Sequence, residues 1–255
     1  MKGLIGKTVI VTGGGGGIGR AVCLRFAEEG SQVAVLDRDA GAAQATVELI
    51  REAGGKARAY AADISDYAAI VDTVTAIERD LGVPTVLVNN AGFDIFMPFL
   101  KTEPALWQQL IAINLTGALN MHHVVLPKMV EAGGGKVINI ASDAARVGSS
   151  GEAVYAACKA GLVGLSKTLA RELAARNVTL NVVCPGPTDT ALLKSVTDSA
   201  SNPEKLLEAF RNAVPMRRIG QPQDYPGIIA LLASDDADFI TGQVISVSGG
   251  LTMAG

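Results

Sequence analysis

The sequence predicts an α/β protein in which a seven-stranded parallel sheet carries helices on both of its faces. Three observations support this prediction: short apolar runs rich in Val, Ile and Leu, helical stretches that alternate with them, and a glycine-rich turn after the first run. Strands buried on both faces have this apolar composition, because helices cover a parallel sheet from both sides. The predicted strands are residues 8–12, 32–36, 57–61, 85–89, 136–140, 179–184 and 244–247. The predicted helices are residues 19–29, 40–53, 66–80, 105–130, 153–176 and 222–233.

The domain organisation follows from the absence of any linker. No segment rich in Pro, Gly or Ser divides the 255 residues, so we predict a single domain over residues 1–255. The irregular stretch is residues 185–221, which holds four prolines around short helical pieces. An insertion of this length in a compact domain is typical of a functional loop, and we predict that it is a substrate lid.

Composition narrows the classes of function. The formal net charge is −3 and no basic stripe is present, which gives nucleic-acid binding little support. No apolar run reaches the ~18 residues that a membrane span needs. The first residues lead directly into a strand without a signal-peptide pattern, so we expect a cytoplasmic protein with no membrane partner.

The cysteines and histidines do not form a metal motif. Cys23, Cys158 and Cys184 have neither CxxC nor metal-ligand spacing, and we interpret them as buried free thiols in a reducing compartment. His122 and His123 are neighbours on a predicted helix, so their side chains point in different directions. We predict no metal site.

The glycine-rich turn predicts the phosphate-binding part of a dinucleotide site. Five consecutive glycines, Gly13 to Gly17, follow the first strand and precede Ile18 and Gly19. Glycines at such a turn let the backbone approach a pyrophosphate, and the helix start offers N–H groups and a favourable dipole. A run of five glycines satisfies GxGxxG almost trivially, so the weight rests on the strand before and the helix after. The residues assigned to the cofactor here are Gly13, Gly16, Gly17, Ile18 and Gly19.

Asp37, at the end of the second strand, indicates which nicotinamide cofactor binds. It lies twenty residues beyond Gly17, the offset at which a carboxylate meets the adenosine ribose hydroxyls. A carboxylate there repels a 2′-phosphate, which favours NAD over NADP. Arg38 leaves the alternative open, since an arginine accommodates that phosphate. Asp37 could also cap the next helix.

Two further strand ends supply candidate cofactor contacts. Asp63 and Ile64 follow the third strand, and Asp63 would accept a hydrogen bond from an adenine amine or cap the next helix. Asn90, Ala91 and Gly92 follow the fourth strand, where small and amide residues suit a turn that packs against the cofactor.

A tyrosine, a lysine and a serine form the candidate catalytic group. Tyr155 and Lys159 are four residues apart on a predicted helix and therefore share a face, while Ser142 ends a strand. A neighbouring ammonium favours the phenolate and lowers a tyrosine pKa toward the range that a general base needs. Asn114 is polar among apolar neighbours, and a water linked to Lys159 or a helix-bending backbone contact would satisfy it.

Together these motifs resemble the short-chain dehydrogenase/reductase family over nearly the whole chain. The matching motifs, in order, are Thr12-Gly13-x-x-x-Gly17-x-Gly19, Asn89-Asn90-Ala91-Gly92, Asn114, Ser142, Tyr155-x-x-x-Lys159 and Pro185-Gly186. The resemblance implies a Rossmann-type doubly wound domain that transfers hydride with a nicotinamide cofactor. It also implies a homotetramer, in which helices 105–130 and 153–176 pair between subunits.

The same resemblance implies a role for each matching residue. Tyr155 is the proton donor or acceptor, and Lys159 lowers its pKa and holds the nicotinamide ribose. Ser142 orients the substrate oxygen, and Asn114 supports a proton-relay water. The remaining cofactor contacts implied are Pro185, Gly186, Thr188, which would meet the nicotinamide carboxamide, and Thr190.

The substrate is the least determined feature. Several segments, among them residues 140–162, resemble members of this family that oxidise a cyclic β-hydroxyacyl-CoA. The residues assigned to the substrate are Ser142, Asp143 and the apolar Phe93, Phe96 and Leu192, with Arg146 as a candidate for coenzyme A phosphates. The alternatives are a 3-oxoacyl-[acyl-carrier-protein] reductase, another secondary-alcohol dehydrogenase, and an inactive cofactor-sensing protein.

Overall fold

The sheet has the predicted number of strands. A computed structural model describes residues 1–198 and 202–253 of the chain. One seven-stranded parallel sheet has the order β3-β2-β1-β4-β5-β6-β7. The strands are β1 (Thr8–Thr12), β2 (Gln32–Asp37), β3 (Lys56–Ala61), β4 (Pro84–Asn89), β5 (Gly135–Ile140), β6 (Val178–Pro185) and β7 (Val244–Val247). With helices on both faces, this is the predicted single Rossmann-type domain.

Helices cover the two faces of the sheet. Their bounds are α1 (Gly17–Glu28), α2 (Ala40–Glu52), α3 (Tyr67–Leu81), α4 (Pro104–Ile111), α5 (Gly117–Glu131), α6 (Ala144–Val147), α7 (Ala153–Leu173), α8 (Ala191–Asp198), α9 (Pro203–Ala213) and α10 (Pro226–Ala233). Phe26 of α1 and Ile229 of α10 are fully buried in the core on one face. Val74 of α3, Met121 of α5 and Ala170 of α7 fill the core on the other face.

The strand order determines where a ligand can bind. β1 pairs with β2 on one side and with β4 on the other, so the direction of winding reverses at β1. In open parallel sheets of this kind the crevice lies at the carboxyl ends of the strands beside that switch point. The glycine turn after β1 therefore opens into the crevice.

The single helix predicted over residues 105–130 is wrong in one respect. A π-helical turn, Ala112–Thr116, separates α4 from α5. The side-chain amide of Asn114 donates to the carbonyl of Leu110 one turn earlier, at 3.0 Å, and such competition with the backbone disturbs regular α-helical bonding. The helix-bending contact considered for Asn114 is thus present.

The continuous helical run Pro104–Glu131 is long and apolar enough to cross a membrane by length and composition alone. Within the fold it belongs to the core, because α5 packs against α3 and β4 and buries Met121, Val125 and Met129. Within the fold, 44% of its most apolar stretch is buried.

Smaller differences from the predictions lie at element ends. Helix α1 begins at Gly17 rather than Gly19, and α7 ends at Leu173 before a 3-10 turn. The three cysteines are free and buried, as predicted. Of the two histidines, His122 is buried among Asn89 and Asn139, whereas His123 contacts Tyr67 at the surface.

Candidate active site

A cavity of about 690 Å³ lies at the carboxyl ends of the strands. This volume is in the range of small-molecule and cofactor sites. Every residue predicted above to act in catalysis or to bind cofactor or substrate lines it, except Gly19, Asn114 and Arg146. The structure therefore brings the predicted cofactor-binding glycine turn and the predicted catalytic residue Tyr155 into one cavity.

Gly19 lies behind the cavity wall, where the chain has no room for a side chain. A Cβ atom on Gly19 would lie 2.1 Å from the carbonyl oxygen of Gly13. At Gly16, by contrast, a Cβ would meet no protein atom within 4 Å. No side chain caps the start of α1, so the N–H groups of its first turn are available to a phosphate.

Asp37 is held by backbone donors at the mouth of the turn. Its carboxylate accepts hydrogen bonds from the N–H of Gly15 at 2.9 Å and from the N–H of Asp39 at 3.0 Å. The cap of α2 is Asp39, whose carboxylate accepts from the N–H of Ala42; the alternative that Asp37 caps this helix is therefore wrong. Asp37 is instead fixed with its carboxylate at the cavity.

Asn90 and Asp63 follow the fourth and third strands and line the cavity, and Asn90 also contacts the glycine turn. The amide of Asn90 donates to the carbonyls of Thr12 and Gly13, at 3.0 and 3.2 Å. Asp63 accepts from the N–H and hydroxyl of Ser65 at 2.8 and 2.7 Å. The cap of α3 is Asp66 rather than Asp63.

The catalytic group is assembled from β5 and α7. Ser142 and Tyr155 line the same cavity, and the Ser142 hydroxyl acts to lower the pKa of Tyr155. The ammonium of Lys159 lies 5.6 Å from the centre of the Tyr155 ring and donates to the carbonyl of Ile140 at 2.9 Å. Tyr155 and Lys159 are both buried.

The protonation of this group differs from the sequence-based expectation. Burial, followed by the charges of Glu152 and Asp94, raises the pKa of the Tyr155 phenol above its ordinary value. Burial also lowers the pKa of the Lys159 ammonium to about 8. In the protein alone Tyr155 is therefore a protonated phenol, and the expected lowering of its pKa by Lys159 is not found.

Asn114 reaches the site through the backbone of the loop after β4. Its amide donates to the carbonyl of Phe93 at 2.8 Å, and its carbonyl oxygen accepts from the N–H of Phe93 at 3.3 Å. A Cβ atom on Gly92 would lie 2.7 Å from that same oxygen and 3.2 Å from Nζ of Lys159. The glycine therefore permits Asn114 and Lys159 to approach each other.

Thr188 and Arg146 have protein partners that the sequence did not reveal. The hydroxyl of Thr188 donates to the carbonyl of Gly186 at 2.8 Å and contacts the hydroxyl of the buried Tyr225. Arg146 donates to the hydroxyl of Ser246 on β7 at 3.0 Å, which places it away from the cavity lining. Asp143, which does line the cavity, accepts from the same hydroxyl at 2.7 Å.

Two carboxyl groups at the site were missed by the sequence analysis. Asp94, in the loop after β4, and Glu152, directly before α7, both line the cavity near Tyr155. Glu152 lies three residues before Tyr155, directly before the same helix. This spacing could have predicted from the sequence that its carboxyl lies near the Tyr155 hydroxyl. Asp94 had none, because only the fold brings it to Glu152.

The apolar wall of the cavity comes from two separate segments. Phe93 and Phe96 extend from β4, and Leu192, Leu193 and Phe210 extend from α8 and α9 of the irregular segment 185–221. These helices cover the same cavity that holds Tyr155. That residues 185–221 act as a substrate lid stays a prediction.

The residues present fit a nicotinamide dinucleotide. The open space over Gly16, the uncapped start of α1 and the fixed carboxylate of Asp37 suit a pyrophosphate and a ribose. Tyr155 and Lys159 line the same cavity. Among the residues that the structure describes, no group of three His, Cys, Asp or Glu side chains is placed to hold a metal ion.

Comparison with known proteins agrees with this geometry. Residues 13–252 match the family model described as Enoyl-(Acyl carrier protein) reductase. An acetoacetyl-CoA reductase of Rhizobium meliloti is 39% identical over 245 residues, covering 96% of this chain and 98% of the relative. The 3-oxoacyl-[acyl-carrier-protein] reductase FabG of Thermotoga maritima is 35% identical and covers 98% of this chain and 99% of its own. The FabG of Staphylococcus aureus strain Mu50 is 38% identical, with coverage of 97% and 98%. The chain belongs to the short-chain dehydrogenase/reductase family and is an oxidoreductase.

Proposed function

We propose that this protein interconverts a secondary alcohol and a ketone on a β-hydroxyacyl thioester, with NAD as the cofactor. The observation that carries the proposal is the convergence of Ser142, Tyr155 and Lys159 in the cavity that also contains the glycine turn. A hydroxyl pair of this kind holds one oxygen and exchanges one proton with it. The bound nicotinamide supplies or accepts the hydride.

Each catalytic residue has a defined task in the proposed mechanism. Ser142 and Tyr155 hold the substrate oxygen, and Tyr155 donates the proton to it in reduction or accepts it in oxidation. Lys159, held by the carbonyl of Ile140, stabilises the phenolate that remains after donation. Asn114 fixes the loop at Phe93 and, in this proposal, orients the water that returns the proton to solvent.

The preference for NAD rests on Asp37. Two backbone donors hold its carboxylate at the cavity, and a negative charge there disfavours a second negative charge on the ribose. Arg38 also lines the cavity and is the residue that would favour NADP. We expect the effect of the Asp37 carboxylate to outweigh that of Arg38, so that NAD is preferred.

The thioester assignment rests on the relatives and on the cavity wall. Relatives that match nearly the whole chain are named for acetoacetyl-CoA and for 3-oxoacyl-[acyl-carrier-protein]. The apolar wall suits an alicyclic ring, and our specific proposal is oxidation of 2-hydroxycyclohexanecarboxyl-CoA to its β-ketoacyl-CoA. We assign the coenzyme A phosphates to Lys194 and Arg211, which are exposed on α8 and α9 next to the cavity-lining Leu193 and Phe210. Arg146 donates instead to Ser246, and Arg218 pairs with Asp224.

A second candidate is a 3-oxoacyl-[acyl-carrier-protein] reductase. The raised pKa of Tyr155 favours it, since a protonated phenol is ready to donate to a ketone. An inactive cofactor-sensing role has less support, because Ser142, Tyr155 and Lys159 are all present and line the same cavity. A homotetramer formed through the helices of residues 105–130 and 153–176, and a cytoplasmic location, complete the proposal.

Steady-state kinetics test the proposal. We expect kcat/KM with NAD to exceed that with NADP, and cyclic and linear β-hydroxyacyl-CoA thioesters to exceed simple alcohols. Replacing Asp37 with Ala should narrow the cofactor preference by tenfold or more. Equal rates with NAD and NADP would contradict the role of Asp37. Equal rates with simple alcohols and thioesters would contradict the thioester assignment, and a preference for acyl-carrier-protein substrates would favour the second candidate.

A further inference from the structure

Two carboxyl groups lie together in the cavity beside the catalytic hydroxyl. Asp94 is 6% exposed and follows β4, and Glu152 immediately precedes α7. Both line the cavity, and both charges act on the phenol of Tyr155. The general chemistry of alcohol oxidation requires neither of them.

The hydrogen bonding of Asp94 is incomplete. One carboxylate oxygen, Oδ1, accepts from the N–H of Ile95 at 2.8 Å. The other, Oδ2, is buried and receives no hydrogen bond from a donor in the described residues. The carboxyl of Glu152 is within reach, and the two groups bond only when one of them carries a proton. The negative charge of this carboxylate is therefore only partly compensated by hydrogen-bond donors of the protein.

The surroundings leave this pair with little compensating charge. Burial and then Glu152 raise the pKa of Asp94 to about 7, and Lys159 is the cation that acts against this. Lys159 is itself engaged with the carbonyl of Ile140. On the cavity side the nearby wall is apolar, with the Phe96 ring packed against Gly151. Electrostatic interactions in such a space are weakly screened.

We propose that Asp94 and Glu152 form an anion-excluding subsite, through which the enzyme accepts β-hydroxyacyl groups as neutral esters or thioesters and rejects free β-hydroxy acids. In a β-hydroxy acid only one carbon separates the carboxylate from the carbinol carbon. When Ser142 and Tyr155 hold the hydroxyl, that carboxylate is confined to the cavity that Asp94 and Glu152 line, beside the phenol on which both of their charges act. Like charges brought together in this way repel each other. This inference rests on the proposed function and specifies its substrate class.

The test compares one substrate in its charged and neutral forms. For 3-hydroxybutyrate and its methyl ester, kcat/KM with NAD is measured at pH 9, where the Asp94 carboxyl is ionised, in the wild type, Asp94→Asn and Glu152→Gln. Glu103→Gln, which neutralises an exposed carboxyl outside the cavity, is the matched control. We expect the wild type and the control to favour the ester by at least about 100-fold. Each cavity variant should reduce that ratio about tenfold or more, mainly by lowering KM for the acid.

The ratio is independent of how much of each variant is folded, because both substrates are measured on the same preparation. An unchanged ratio in both cavity variants would overturn the inference, and so would a wild type that oxidises the acid as well as the ester. Loss of ester turnover in both variants would also contradict it, since the pair would then be required for a neutral substrate. If the wild type oxidises neither the ester nor the CoA thioester, the proposed function itself fails.

Discussion

The two ends of the cavity are built by different means. At the cofactor end, contacts of the backbone predominate. A Cβ on Gly19 would lie 2.1 Å from the Gly13 carbonyl oxygen, and two backbone N–H groups donate to the carboxylate of Asp37. At the substrate end, side chains from separate loops meet, as Asp94 and Glu152 do. At the cofactor end, lack of space for a side chain therefore requires glycine. At the substrate end, contacts between pairs of side chains determine the charge of the site.

The largest expected effect is at the cofactor end. Gly19→Ala places a methyl group against the Gly13 backbone, which cannot yield as a flexible side chain would. We expect NAD affinity to fall at least about 100-fold, measured by titration calorimetry, together with a lower midpoint of thermal unfolding.

Gly227→Ala on α10 is the matched control for this substitution. A Cβ there meets no neighbouring atom within 4 Å, so NAD affinity and the unfolding midpoint should remain near those of the wild type. Unchanged NAD affinity in Gly19→Ala would break the claim that backbone contact determines this end of the cavity.

A smaller effect, at the substrate end, is a pH-dependent change in stability. Because the pKa of Asp94 is raised to about 7 from its ordinary 3.8, the folded state retains a proton that the unfolded state has lost between those pH values. Stability from this group therefore falls as pH rises toward 7. Asp94→Asn removes this loss, so its unfolding midpoint should exceed that of the wild type by about 2–4 °C at pH 8 and by less at pH 5.

The charges that act on Asp94 are those of Glu152 and Lys159. Asp72→Asn, at an exposed carboxyl on α3, is the control and should show no such pH dependence. A stability difference for Asp94→Asn that is equal at both pH values, or larger at pH 5, would contradict the raised pKa.

The same contrast explains what could be predicted from the sequence. The seven strands and the glycine turn are local patterns, since each strand is a short apolar run and the turn has no room for side chains. The motif residues Ser142, Tyr155 and Lys159 were found because they lie within one strand–loop–helix segment. All three line the cavity at the carboxyl ends of the strands.

The remainder depended on contacts between distant parts of the chain. The π-helical turn at Asn114 arises from bonding to Leu110 and to Phe93 in another loop. Thr188 meets Tyr225, thirty-seven residues later, and Asp94 meets Glu152 only in the folded protein. The pKa of Tyr155 was predicted in the wrong direction for the same reason, because its largest determinant is burial.

The central claim is that the hydroxyl of Tyr155 transfers the proton, and Tyr155→Phe tests it most directly. The decisive measurement is kcat for a β-hydroxyacyl-CoA thioester, with NAD affinity and the unfolding midpoint determined on the same preparation. Removing only the hydroxyl should lower kcat by about 10²–10⁴-fold while NAD still binds and the protein remains folded. A folded, NAD-binding Tyr155→Phe protein with wild-type kcat would contradict the account.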